Sequence, residues 1–94
     1  MEAKNLHTWL PFTDNDWILK IIQLSEKEFI ASTSNGSLIG YSISNLSSTP
    51  TIKIEKAHEF SINDIVKIDN DSIASCSSDG IKIWNLRSKS AIVT

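Results

Sequence analysis

The chain repeats itself. Residues 18–41 match residues 62–84 at an offset of 43 or 44 positions. The segment WILKIIQL (17–24) lies over SINDIVKI (61–68), and FIASTS (29–34) lies over SIASCS (72–77). Asn35-Gly36 lies over Asp79-Gly80, and Tyr41 over Trp84. Such a duplication constrains the fold more than composition does. The same short unit must form twice, and each copy has an apolar face that a neighbouring copy has to cover.

Each unit reads as short strands and turns. Residues 17–24 are strongly apolar; their length and isoleucine content predict a buried strand. Residues 29–34 form the next strand, Asn35-Gly36 a hairpin turn and 37–43 its return strand. Residues 44–50 are a Ser/Asn/Pro loop. Residues 51–55 alternate, with Ile52 and Ile54 against Lys53 and Glu55, as in a strand with one buried face. Residues 56–60 connect to a strand over 61–68, and 69–71 are a turn. The stretch IASCSSDGIKIWNL (73–86) is the strongest local signal. Small side chains lead into Asp79-Gly80, where glycine accepts positive φ, and a β-branched strand follows. Residues 90–94 read as one more strand. Residues 6–12 are a short apolar stretch holding Pro11, which demotes it to an edge strand or terminal segment. No helix start-and-stop pattern occurs. A repeat of ~40–45 residues with four strands has the period of a propeller blade.

The residues that carry a closer resemblance are Ala57-His58, then IASCSSDG, then IKIWNL. Together they resemble a WD-repeat (WD40) unit, whose pattern is Gly-His, a small-residue strand, an Asp-Gly turn and Trp-Asp. Here Gly-His appears as Ala57-His58 and Trp-Asp as Trp84-Asn85. The first unit is degenerate: it keeps Ser32 and Asn35-Gly36, has Tyr41 for Trp and lacks the matching His.

That resemblance implies an all-β fold of about two four-stranded antiparallel propeller blades in an incomplete ring. Residues 1–15 would be an N-terminal segment closing the last blade, 16–56 the degenerate first blade and 57–94 the second. The resemblance further implies a structural hydrogen-bonded set of His58, Ser75, Asp79 and Trp84. Trp17 and Phe60, where the first strands begin, become candidate partner contacts or inter-blade core. Two blades do not close a ring, since propellers have ~4–8. The chain is then the N-terminal piece of a longer propeller, or three or four copies assemble. The implied function is a non-enzymatic protein–protein interaction scaffold within a larger complex. The alternative is a reader of a modified peptide or nucleic acid through the propeller face.

Other chemistries find little support. Nine basic and eleven acidic residues give a net charge of −2, with no basic footprint for nucleic acid. His58, Ser75 and Asp79 have the composition of a hydrolase triad, but Ser75 lies mid-strand with no nucleophile elbow. Cys76 has no basic neighbour to lower its pKa and reads as a small core residue. His7 and His58 are isolated, so no metal-ligand spacing exists. Asp69-Asn70-Asp71 lacks the glycine and terminal glutamate of a calcium loop. No cofactor is implied. No apolar run reaches membrane-span length, and the N-terminus lacks a signal-peptide layout. With a single cysteine, these features imply an intracellular protein of the nucleus or cytoplasm.

Overall fold

A computed structural model of the chain describes residues 17–44, 50–88 and 90–93. The strands are β1 (Ile18–Gln23), β2 (Glu28–Thr33), β3 (Leu38–Ser42), β4 (Ile52–Ile54), β5 (Asp64–Asp69), β6 (Ser72–Ser77), β7 (Gly80–Asn85) and β8 (Ser90–Val93). They form two antiparallel sheets, β1-β2-β3-β4 and β5-β6-β7-β8, each in chain order. No helix occurs among the described residues. The stretch 6–12 and His7 lie outside them.

Turn chemistry sets the meander. Between β2 and β3 the Gly36 N–H donates to the Thr33 carbonyl at 3.2 Å, and Gly36 takes φ +88°. Between β6 and β7 the two-residue loop is Ser78-Asp79, because Ser77 and Gly80 are cross-strand partners. Gly80 therefore opens β7, at φ +127°, instead of sitting at the loop tip beside Asp79. After β7 the Asn85 side-chain oxygen accepts the N–H groups of Arg87 and Ser88, at 2.9 and 3.1 Å. Asparagine at this place serves as an aspartate would, by capping the turn.

Cross-strand partners share a face, so the register shows which residues point where. In the first sheet the row Ile22–Ile30–Gly40–Ile52 faces the second sheet, as do Leu38 and Ile54. In the second sheet Ile65, Ile73 and Trp84 face back. These side chains form one core with Leu24, Ala57, Ile62 and Leu86. Polar bonds cross the same interface. Lys67 Nζ donates to the Leu24 carbonyl at 2.6 Å, and Lys20 pairs with Asp64 at 3.3 Å.

Three expectations need correcting. The strand expected over 17–24 is not buried, for Ile18, Leu19 and Ile21 are exposed. β1 is a sheet edge, so its strongly apolar sequence marks an outward face as well as an inward one. The strand expected to start at Ser61 starts at Asp64. Residues 61–63 instead bond across strand ends: Ser61 Oγ donates to the Ser34 carbonyl at 2.8 Å, and the Ile62 N–H to the Thr33 carbonyl at 3.2 Å. The third concerns register between the units. Ile21 pairs with Ala31 and Ile65 with Ser75, while Ala31 pairs with Ile39 and Ser75 with Lys82. Ala31, not Ser32, thus occupies the place of Ser75. Ser32 points to the other face, where its hydroxyl donates to the Ile62 carbonyl at 3.3 Å. A slip of one residue along a strand reverses its faces, and matching Ser to Ser by letter made that slip.

Candidate functional site

The connector between β4 and β5 brings His58 to the second sheet. The His58 N–H donates to the Gly36 carbonyl at 3.0 Å, which fixes the backbone of the connector against the first hairpin. The His58 ring then reaches two elements of the second sheet. Nδ1 lies 2.6 Å from Asp79 Oδ1, in the β6–β7 loop, and Nε2 lies 2.7 Å from Ser75 Oγ, in β6. From β7, Trp84 Nε1 donates to the same Ser75 Oγ at 2.8 Å. The four side chains expected to associate are therefore joined in one chain of hydrogen bonds.

Donor bookkeeping gives that chain a direction. The indole nitrogen can only donate, so Ser75 Oγ accepts from Trp84. The serine hydroxyl is then free to donate to Nε2. With the serine hydroxyl donating to Nε2, it is the Nδ1–H that faces and donates to the Asp79 carboxylate. His58, Ser75 and Trp84 are all buried, and every polar atom among them has a partner. Asp79 is the partly exposed end of the chain. Lys82 closes the outer side, its Nζ donating to the Ala57 carbonyl at 2.7 Å and lying 5.9 Å from the Trp84 ring centroid.

The Glu59 backbone N–H donates to Asp79 Oδ2 at 3.1 Å, and this bond, with the one to His58, holds the Asp79 pKa below its ordinary value of 3.8. The folded state therefore releases this proton more readily than the unfolded chain. Stability from Asp79 is complete above the ordinary value and is lost as the pH falls below it, through the folded-state value. Acid unfolding monitored by circular dichroism should show a loss in this window, and Asp79→Asn should flatten it. An unchanged profile in the variant would remove Asp79 from the account.

These positions carry no free nucleophile. Ser75 Oγ sits between an imidazole and an indole with its residue buried in mid-sheet, so a substrate carbonyl cannot approach it. No cluster of metal-ligating side chains occurs among the described residues. Cys76 is only half-buried and points to the outer side of the second sheet, in the row of Asp64 and Ile81, and not into the core.

Trp17 and Phe60 lie at the same end of the two sheets. Trp17 is 71% and Phe60 54% exposed, so neither is inter-blade core. Trp17 and Ser34 are bonded twice: the Trp17 N–H donates to Ser34 Oγ and the Ser34 N–H to the Trp17 carbonyl, both at 2.8 Å. Ser61, next to Phe60, bonds the Ser34 carbonyl from the other side. Phe60 sits in the connector, four residues before β5, and not at a strand start. The roles of Ser34, Ser61 and Gly36 in tying this end together were not visible in the sequence. They depend on contacts between the two units, and only the Asn-Gly pair gave any local sign of them.

Two four-stranded antiparallel meanders stacked on one apolar core, the second stitched to its connector by a His-Ser-Asp-Trp hydrogen-bonded set, have the fold of WD40 propeller blades, here an unclosed part of a ring. A solved structure with this fold is the WD40 β-propeller domain of Doa1. It superposes with a TM-score of 0.70 at 15% sequence identity, over 80% of this chain and 25% of that one. The chain thus spans about a quarter of the length of the structure it matches. No family model and no curated protein matches the sequence.

Proposed function

We propose that the chain is a non-enzymatic protein-interaction scaffold that works within a larger complex. The observation that carries this reading is the pair of exposed aromatic side chains, Trp17 and Phe60, held at one end of a stiff two-sheet frame. Large aromatic rings contribute most per residue to protein recognition, and leaving two in water has a cost unless a partner covers them. The frame between them is rigid because Ser34 is bonded from both sides. Among the described residues, this end lacks the interleaved basic and aromatic residues of a nucleic-acid surface. The likeness to a WD40 domain supports the reading by analogy of fold.

Trp17→Ala and Phe60→Ala should each leave the circular dichroism spectrum and unfolding midpoint nearly unchanged, since both side chains are exposed. Each should weaken capture of cellular protein partners tenfold or more. Partners retained by both variants would overturn the assignment. Capture of RNA or DNA that falls steeply with salt would favour a nucleic-acid reader instead.

A further inference from the structure

Asn35 is the one asparagine of the chain that a glycine follows. In such a pair no side chain shields the next backbone nitrogen, and the glycine turns freely, so that nitrogen can close on the asparagine side chain. The step joins the Gly36 nitrogen to the side-chain carbonyl carbon of Asn35 and breaks that carbon's bond to the side-chain amide nitrogen. The amide nitrogen takes the proton that Gly36 gives up and leaves as ammonia. Water then opens the five-membered imide at either carbonyl, leaving aspartate or isoaspartate at position 35. In the second unit the matching pair is Asp79-Gly80, whose carboxylate offers no such leaving group.

The fold holds both reacting groups elsewhere. The Gly36 N–H donates to the Thr33 carbonyl at 3.2 Å, back along the hairpin. The Asn35 side-chain oxygen accepts the hydroxyls of Thr33 and Ser37, both at 2.9 Å, one from each side of the turn. Gly36 itself is buried at φ +88°, with the carbonyl oxygens of His58 and Phe60 crowding its α-carbon. Its own carbonyl accepts the His58 N–H at 3.0 Å. Rotation of Gly36 toward the Asn35 side chain therefore has to break the contact between the first hairpin and the connector.

We propose that Asn35 is a deamidation site that the fold keeps silent, and that its conversion records opening of the joint between the two units. Opening and closing are fast against this chemistry, so the rate follows the population of the open form. The isoaspartate product adds one backbone atom to the turn. The lengthened turn no longer sets the Gly36 carbonyl against the His58 N–H, so that product does not close as the parent does. The aspartate product keeps the length of the turn and an oxygen for both hydroxyls. The proposal is independent of the aromatic end and of any partner bound there.

Mass spectrometry of the chain at mildly alkaline pH, with fragmentation of its tryptic peptide 28–53, follows the conversion at Asn35. The native chain should convert at least ~10-fold more slowly than the chain unfolded in urea, and below the unfolding midpoint the rate should climb with urea. His58→Ala removes the ring that ties the connector to the second sheet, and should speed conversion of the folded chain at least ~10-fold. If that variant does not fold, the urea series on the parent chain decides. Refolded isoaspartate material should unfold at lower urea than Asn35→Asp. Equal rates in the native and unfolded chains would overturn the proposal. So would an unfolded chain that does not convert, or a native rate indifferent to urea, or isoaspartate material as stable as Asn35→Asp.

Discussion

Replacing His58 with alanine is expected to remove a large part of the chain's stability. His58 is fully buried and bonds to both Ser75 and Asp79. Without the ring, the Ser75 hydroxyl has no acceptor in a place water does not reach. A buried orphan of this kind costs ~1–3 kcal/mol. The void left by the ring adds to that, so ~3–4 kcal/mol in all is expected. A domain of this length has about 5–14 kcal/mol to lose. A urea titration should show the midpoint falling sharply with an unchanged slope, since the surface exposed on unfolding stays much the same.

A coupled comparison separates the hydrogen-bonded chain from simple loss of volume. In a Ser75→Ala background there is no hydroxyl to orphan, so His58→Ala should cost about 1 kcal/mol less than in the parent chain. Asp79→Ala should cost less than His58→Ala, because water reaches the exposed end of the chain and can take over the Nδ1 proton. If His58→Ala costs the same with and without Ser75, the four side chains do not act together, and their grouping reflects packing alone.

The parts that could be read in advance share one property: their cause is local. Asp79-Gly80 and Asn35-Gly36 announce turns because glycine alone tolerates positive φ there, and both hairpins form at those places. The grouping of His58, Ser75, Asp79 and Trp84 was legible through resemblance, since residues that form a bonded set stand at regular places in a repeat. What escaped depended on contacts between the units. The apolar run in β1 looked like a buried strand because hydropathy reports what a side chain avoids, not whether a neighbour covers it. The strand expected at Ser61 begins at Asp64, since the connector's backbone partners lie in the first hairpin. The match of Ser32 to Ser75 was wrong by one position. Identical letters outweighed face parity, which only the cross-strand register reveals. The outward turn of Cys76 has the same origin.

Gly36→Ala is the second substitution expected to have a large effect, and it tests the joint between the units. Gly36 holds φ +88°, a conformation that costs an alanine ~1–3 kcal/mol by itself. A β-carbon there would also run into the His58 carbonyl oxygen and lie 2.9 Å from that of Phe60. Both obstacles are backbone atoms and cannot swing aside as a side chain tip would. The connector has to move, and it carries the His58 ring, the Phe60 ring and the buried Ile62. The hydrogen bond from the His58 N–H to the Gly36 carbonyl would go with it. The expected cost is at least ~3 kcal/mol. Gly80→Ala is the control: it meets the same kind of backbone strain, at φ +127°, with nothing within reach of its β-carbon. It should cost only the conformational part, ~1–3 kcal/mol. In amide NMR spectra, Gly36→Ala should move the signals of residues 57–62 and of the Trp84 indole, whereas Gly80→Ala should disturb only its own hairpin. Equal costs for the two substitutions, or an undisturbed connector in Gly36→Ala, would mean that the first hairpin does not hold the histidine in place.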